Sequence, residues 1–148
     1  MDRQTALNRA VAIAALRIVI GILSMMLAYH KLFVTGLAQE MRWFEELGRW
    51  FPQWLLWAVN IYAAIIELVC GFLLCIGLLR DWSGWAILSV LVIVTFGHSL
   101  EAEVWDIEQM VFRLALVCSF LLLPRDWDFL QIGTLWKSGA FRSGEKRA

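Results

Sequence analysis

Glu67 lies inside Trp54–Leu79, a run otherwise long and apolar enough to cross a bilayer. An acidic side chain near the bilayer centre costs about 2.5–3.5 kcal/mol on insertion scales, so it must be protonated, matched by a cation on a neighbouring helix, or turned toward an internal cavity. Each alternative makes Glu67 the leading candidate for proton exchange or for hydrogen bonding to a buried ligand. At about 100° per residue, Asn60, Ala64, Glu67, Gly71 and Leu78 share one helix face, and Arg17, Gly21, Ser24, Ala28 and Lys31 share a face of the preceding apolar run. Small residues allow close helix approach and polar ones avoid lipid, so these two faces are expected to meet. Two later runs carry comparable faces: Gly84, Ile87, Leu91, Val94 and His98 on one, and Asp106, Gln109, Arg113, Val117 and Phe120 on the other.

Depth decides which polar groups can touch. Counted at about 1.5 Å per residue from the outer ends, Lys31 and His98 lie near the surface, Asn60 and Arg113 about a third of the way in, and Glu67 near the middle. Arg17 approaches from the inner side. The candidate ligand-binding or proton-exchange set is therefore Glu67, Arg113, Lys31, Asn60, Arg17 and His98. The plain alternative is a structural ion pair of Glu67 with Arg113 or Arg17 that fixes helix register, with Lys31 snorkelling and Tyr29 and His30 anchoring at the interface.

Metal binding is not expected. His30, His98, Glu101 and Glu103 could gather at the outer face, but the paired Glu-x-x-His motifs of di-iron bundles are missing. The 3 cysteines, Cys70, Cys75 and Cys118, all fall inside apolar runs without Cys-x-x-Cys spacing, which suits buried packing rather than redox or zinc chemistry.

The elements that must position these residues are helices in a membrane. Of the 148 residues 61% are hydrophobic, and the excess is gathered in blocks, at about residues 11–33, 54–79, 82–100 and 107–123. Each block is close to the roughly 20 residues a helix needs to span the hydrocarbon. The first has no Ala-x-Ala-like cleavage site and is too long for a signal segment, so it is read as a retained span. Only Arg80 and Asp81 separate the second and third spans, which forces an antiparallel hairpin, and Pro124 ends the fourth. Between the first two spans, residues 39–50 read as one short amphipathic helix lying at the interface, with Asp126–Trp136 as a second interfacial segment. The expected fold is thus an all-α integral membrane four-helix bundle, one domain over residues 1–148. Formal net charge is zero and no basic run suits nucleic acid. Arg3, Arg9, Arg80, Arg125, Lys137, Arg142, Lys146 and Arg147 fall on one side, which places both termini in the cytoplasm.

The chain resembles the DoxX family of small four-helix membrane proteins. The matching features are Arg17 and Gly21 early in the first span, the aromatic end Tyr29-His30-Lys31-Leu32-Phe33, and the second-span run from Glu67 through Gly71 and Gly77 to Leu79. The resemblance covers roughly residues 11–123. It implies a bacterial inner-membrane protein, in a family sometimes linked to quinone-dependent sulfur oxidation or to redox-stress complexes.

Two readings follow. In the first, a redox-associated membrane subunit holds a quinone or similar amphiphile between its helices, with Glu67, Arg113 and Lys31 at the headgroup. No cofactor motif is present and nothing here resembles a flavin, haem or iron–sulfur site, so electrons must come from a membrane or peripheral redox partner. Whether the chain is itself an enzyme is left open. In the second, it is a non-catalytic accessory or assembly subunit of a larger membrane complex. The expected partners are the bilayer, a redox protein and, optionally, further copies of the chain.

Overall fold

The computed structural model describes residues 3–44, 46–100 and 108–128, and these are helical throughout apart from short turns. Helix α1 covers Arg3–Tyr29 and passes into a π-helical turn, His30–Val34, closed by the Thr35 amide donating to the His30 carbonyl at 2.8 Å. Next come α2 (Leu37–Trp43) and a 3₁₀ turn, Glu46–Arg49. Helices α3 (Gln53–Ile76), α4 (Arg80–Ser99) and α5 (Glu108–Leu122) follow, and a 3₁₀ turn at Arg125–Trp127 lies beyond Pro124. Three helical stretches, Arg3–Val34, Gln53–Ile76 and Arg80–Ser99, are long and apolar enough to cross a bilayer. The described part of α5 is shorter, 15 residues or about 22 Å. The expected residues Asp106, Glu101 and Glu103, and the tail beyond Asp128, lie outside the described residues.

The long helices form a closed ring in which α1 packs on α3, α3 on α4, α4 on α5 and α5 back on α1, with the α1–α3 pairing the most extensive. Its interior is filled by Ile13, Ile20, Leu74, Ile87, Leu91, Val117 and Phe120. In lipid the hydrophobic effect does not drive helices together, so close packing has to. Gly21 and Gly71 show how. A Cβ on Gly21 would sit 2.6 Å from the Gly71 carbonyl oxygen, and one on Gly71 would sit 2.8 Å from that of Gly21. Only hydrogen fits on either side, and α1 and α3 touch backbone to backbone. Arg17, Ser24, Ala28, Asn60, Ala64 and Glu67 are buried along the same seam.

The α3–α4 connection differs from expectation. Helix α3 stops at Ile76 because Gly77 takes up left-handed geometry (φ 75°), and a Schellman cap forms: the Gly77 amide donates to the Leu74 carbonyl and the Leu78 amide to that of Leu73. Leu79 follows with φ 49°, a conformation costing a side-chain-bearing residue roughly 1–2 kcal/mol. The link is therefore Gly77–Leu79, and Arg80 and Asp81 open α4 rather than joining the helices. Leu78 is correspondingly exposed, with Leu74 in the buried position.

The segment expected as one amphipathic helix over 39–50 is two pieces, α2 and the 3₁₀ turn, which cross one end of the ring. That end is called here the α2 end, and the opposite one, with Gly77–Leu79, the hairpin end. Exposed tryptophans collar both: Trp50 and Trp54 at the α2 end, Trp82 and Trp85 at the hairpin end, as an aromatic belt requires.

Candidate functional site

A cavity of about 410 Å³ opens within the α2 end of the ring. The π-helical turn brings Lys31 to it from α1, and such turns frequently mark functional positions. Helix α3 contributes Asn60 and Glu67, α4 His98, α5 Arg113, and α2 Glu40, while Leu55, Val59, Ala63, Val90 and Leu91 form apolar wall. Lys31 Nζ donates to Glu67 Oε2 at 2.8 Å. The Glu67 side chain is 6% exposed and that of Lys31 15%, so the pair is nearly dry. Arg113 and Glu40 lie close enough to act on Glu67 through space. Asn60 Nδ2 donates to the Leu37 carbonyl at 3.4 Å, tying α3 to the start of α2.

His98 is held in one tautomer. Its Nδ1 lies 2.9 Å from the Val94 carbonyl oxygen, which can only accept, so Nδ1 carries a proton and in the neutral ring Nε2 is the acceptor. The Phe44 ring meets the imidazole edge to face at 5.8 Å between centroids. Among the described residues no three His, Cys, Asp or Glu side chains gather as metal ligands.

Of the six candidates in the sequence, the cavity brings together Lys31, Asn60, Glu67, His98 and Arg113. Arg17 is not among them. It sits fourteen residues before Lys31 on α1, about 21 Å away, and points to a different carboxylate, that of Asp128, at 3.8 Å. The sequence expectation that Arg17 approaches Glu67 from below is corrected accordingly. Asp128 is also 3.7 Å from Arg80, whose Nη2 donates to the Phe120 and Leu123 carbonyls, both at 3.0 Å. The Arg80 guanidinium in addition stacks over the Phe120 ring at 4.6 Å.

Asp128 and Arg80 were not legible as buried partners. Asp128 reads as part of an interfacial tail, and Arg80 as a loop residue. Two signals could have found them: Gly77 as the glycine that ends α3, which moves Arg80 into a helix, and Pro124, which turns the chain back under the bundle. The same turn is held by the ion pair of Arg125 with Asp81 and by the Arg9 guanidinium over the Trp127 ring.

A ring of apolar helices with a charge-paired cavity at one end and a buried ion cluster at the other defines a multi-pass helical membrane protein in contact with the bilayer. The DoxX family model matches residues 12–99, more than half of the chain, and the chain belongs to the DoxX family. No curated protein and no solved structure matches it.

Proposed function

We propose that the protein binds a quinone or similar lipid-soluble redox molecule in the cavity at the α2 end, as a redox-associated membrane subunit. The observation that carries this reading is the convergence of Lys31, Asn60, Glu67, His98 and Arg113 on one space with apolar walls. Its volume of about 410 Å³ falls in the range of small-molecule sites, which run from roughly 300 to 1,000 Å³ and combine apolar lining with a few placed polar groups. Cationic donors at Lys31 and Arg113 suit the two oxygens of a quinone ring, and Glu67 and the His98 Nε2 suit the hydroxyls of its reduced form. When bound, a quinone supplies two-electron, two-proton redox chemistry, with the electrons exchanged with a partner protein. The chain's own residues bind the ring oxygens, keep water from them and exchange protons at Glu67 and His98.

The test is quinone content. Protein extracted in native lipid is expected to retain quinone detectable by mass spectrometry. Glu67→Gln and Arg113→Met should each lower affinity about tenfold or more, the loss of one charge-assisted hydrogen bond. Well-folded protein without quinone, with partner activity unchanged in both variants, would leave the accessory-subunit reading in its place.

The family and the cation asymmetry support a bacterial inner membrane, with both termini cytoplasmic and the cavity toward the outer leaflet. An impermeant maleimide applied from outside should label Gln39→Cys and spare Ser143→Cys; the reverse pattern would turn the molecule over.

A further inference from the structure

The cavity has a covered end and an open side. At the α2 end, Phe44 and Phe51 line it from above, and Phe44 reaches across to the His98 ring. Its side wall is different. Ile93 and Phe96 both line the cavity and are 39% and 58% exposed, which places them at a mouth of the cavity and not deep in its wall.

Helix geometry places this mouth. At 100° per residue, Leu55, Val59 and Tyr62 follow the edge of α3 that faces α4, and Ser89, Ile93 and Gly97 follow the edge of α4 that faces α3. The two edges are bolted where the Tyr62 and Ser89 oxygens lie 2.8 Å apart. Ser89 spends its own proton on the Ala86 carbonyl at 2.7 Å, so Tyr62 is the donor of the bolt. Beyond it toward the α2 end, the facing residues are Val59 and Leu55 on α3 and Ile93, Phe96 and Gly97 on α4, all lining the cavity. They extend about 5–12 Å past the bolt on either helix.

We infer that this gap between α3 and α4 is a lateral portal. Through it the ligand enters from the hydrocarbon of the bilayer, and in it the ligand's apolar tail remains, with the headgroup inside against Lys31 and Glu67. The proposal rests on the reading of the cavity as the seat of a lipid-soluble redox molecule, and adds that the ligand is a tailed one. Every side chain named at the rim is apolar and Gly97 has none, so the rim offers no hydrogen bond to a polar group and suits a chain of methylenes or isoprene units.

Two measurements separate the portal from that reading. In nanodiscs, Ile93→Trp at the rim should lower affinity for a decyl-tailed benzoquinone about tenfold, the loss of roughly two buried methylenes of tail. Binding of the same benzoquinone without a tail should hold within about threefold in that variant. Equal loss for both quinones, or loss for neither, overturns the portal. The second measurement needs no quinone: p-benzoylphenylalanine introduced at Val94, which lines the cavity, should crosslink on illumination to phospholipid acyl chains, and Ile93→Trp should suppress the adduct. Folded protein without acyl adducts overturns the portal even where quinone is bound. Acyl adducts without any quinone binding keep the portal and overturn the ligand class.

Discussion

Replacing Asp128 with alanine is expected to destabilise the bundle by about 3–5 kcal/mol, the cost of stripping one partner from a buried ion pair. The carboxylate is fully buried, with side-chain exposure of 0%, and stands between Arg17 and Arg80, themselves buried. Its distances to them, 3.8 and 3.7 Å, exceed direct hydrogen-bond reach. The attraction is therefore ionic, carried through space and not by a direct hydrogen bond. Alanine would leave two guanidiniums facing each other across a space built for a counter-charge. Unfolding titrations in lipid should show the loss, and Asp128→Glu should recover part of it. A variant within about 0.5 kcal/mol of the parent would mean that Asp128 is solvated in the membrane and not a keystone.

At the other end, Glu67→Ala and Lys31→Ala should each cost about 3–5 kcal/mol, and the double variant less than their sum. Each single change strands a charge in a nearly dry wall. Removing both leaves neither charge to solvate. The cavity beside the pair gives a stranded group some access to water or ligand, which favours the lower end of the range. Unfolding free energies for the four proteins of the cycle decide it. Additivity within about 0.5 kcal/mol would show that the 2.8 Å contact carries no coupling and that Glu67 is better regarded as a ligand group alone.

The parts of the molecule legible in the sequence are those written in helical period. Polar and small residues at every third or fourth position placed Asn60, Ala64, Glu67 and Gly71 against Gly21, Ser24, Ala28 and Lys31, and the structure packs that seam most tightly. Counting rise per residue strings Lys31, His98, Asn60, Arg113 and Glu67 from the outer surface to the midplane, and one cavity holds them. What period cannot express was missed. Asp128 follows Pro124 and a single 3₁₀ turn, so no helical spacing relates it to Arg17, more than a hundred residues earlier. Arg80 reads as a connector because apolarity continues through Leu78 and Leu79, while the helix ends at Gly77 for reasons of backbone handedness and not of hydropathy. The lone amphipathic helix over 39–50 failed similarly: its pattern of apolar residues reports a buried side, not where the hydrogen bonding changes from one helix type to another.

Asp128 also gives the molecule an order of assembly. Arg17 belongs to α1 and Arg80 to the start of α4, whereas the carboxylate that reconciles them is synthesised after α5. During translation both cations reach the membrane ahead of this counter-charge, and their long side chains can meanwhile snorkel to the headgroups. The ring can settle into its final register when the chain beyond Pro124 folds back and delivers Asp128 between them. A residue outside every long helix thus supplies the last charge of a cluster whose other members stand on helices made before it.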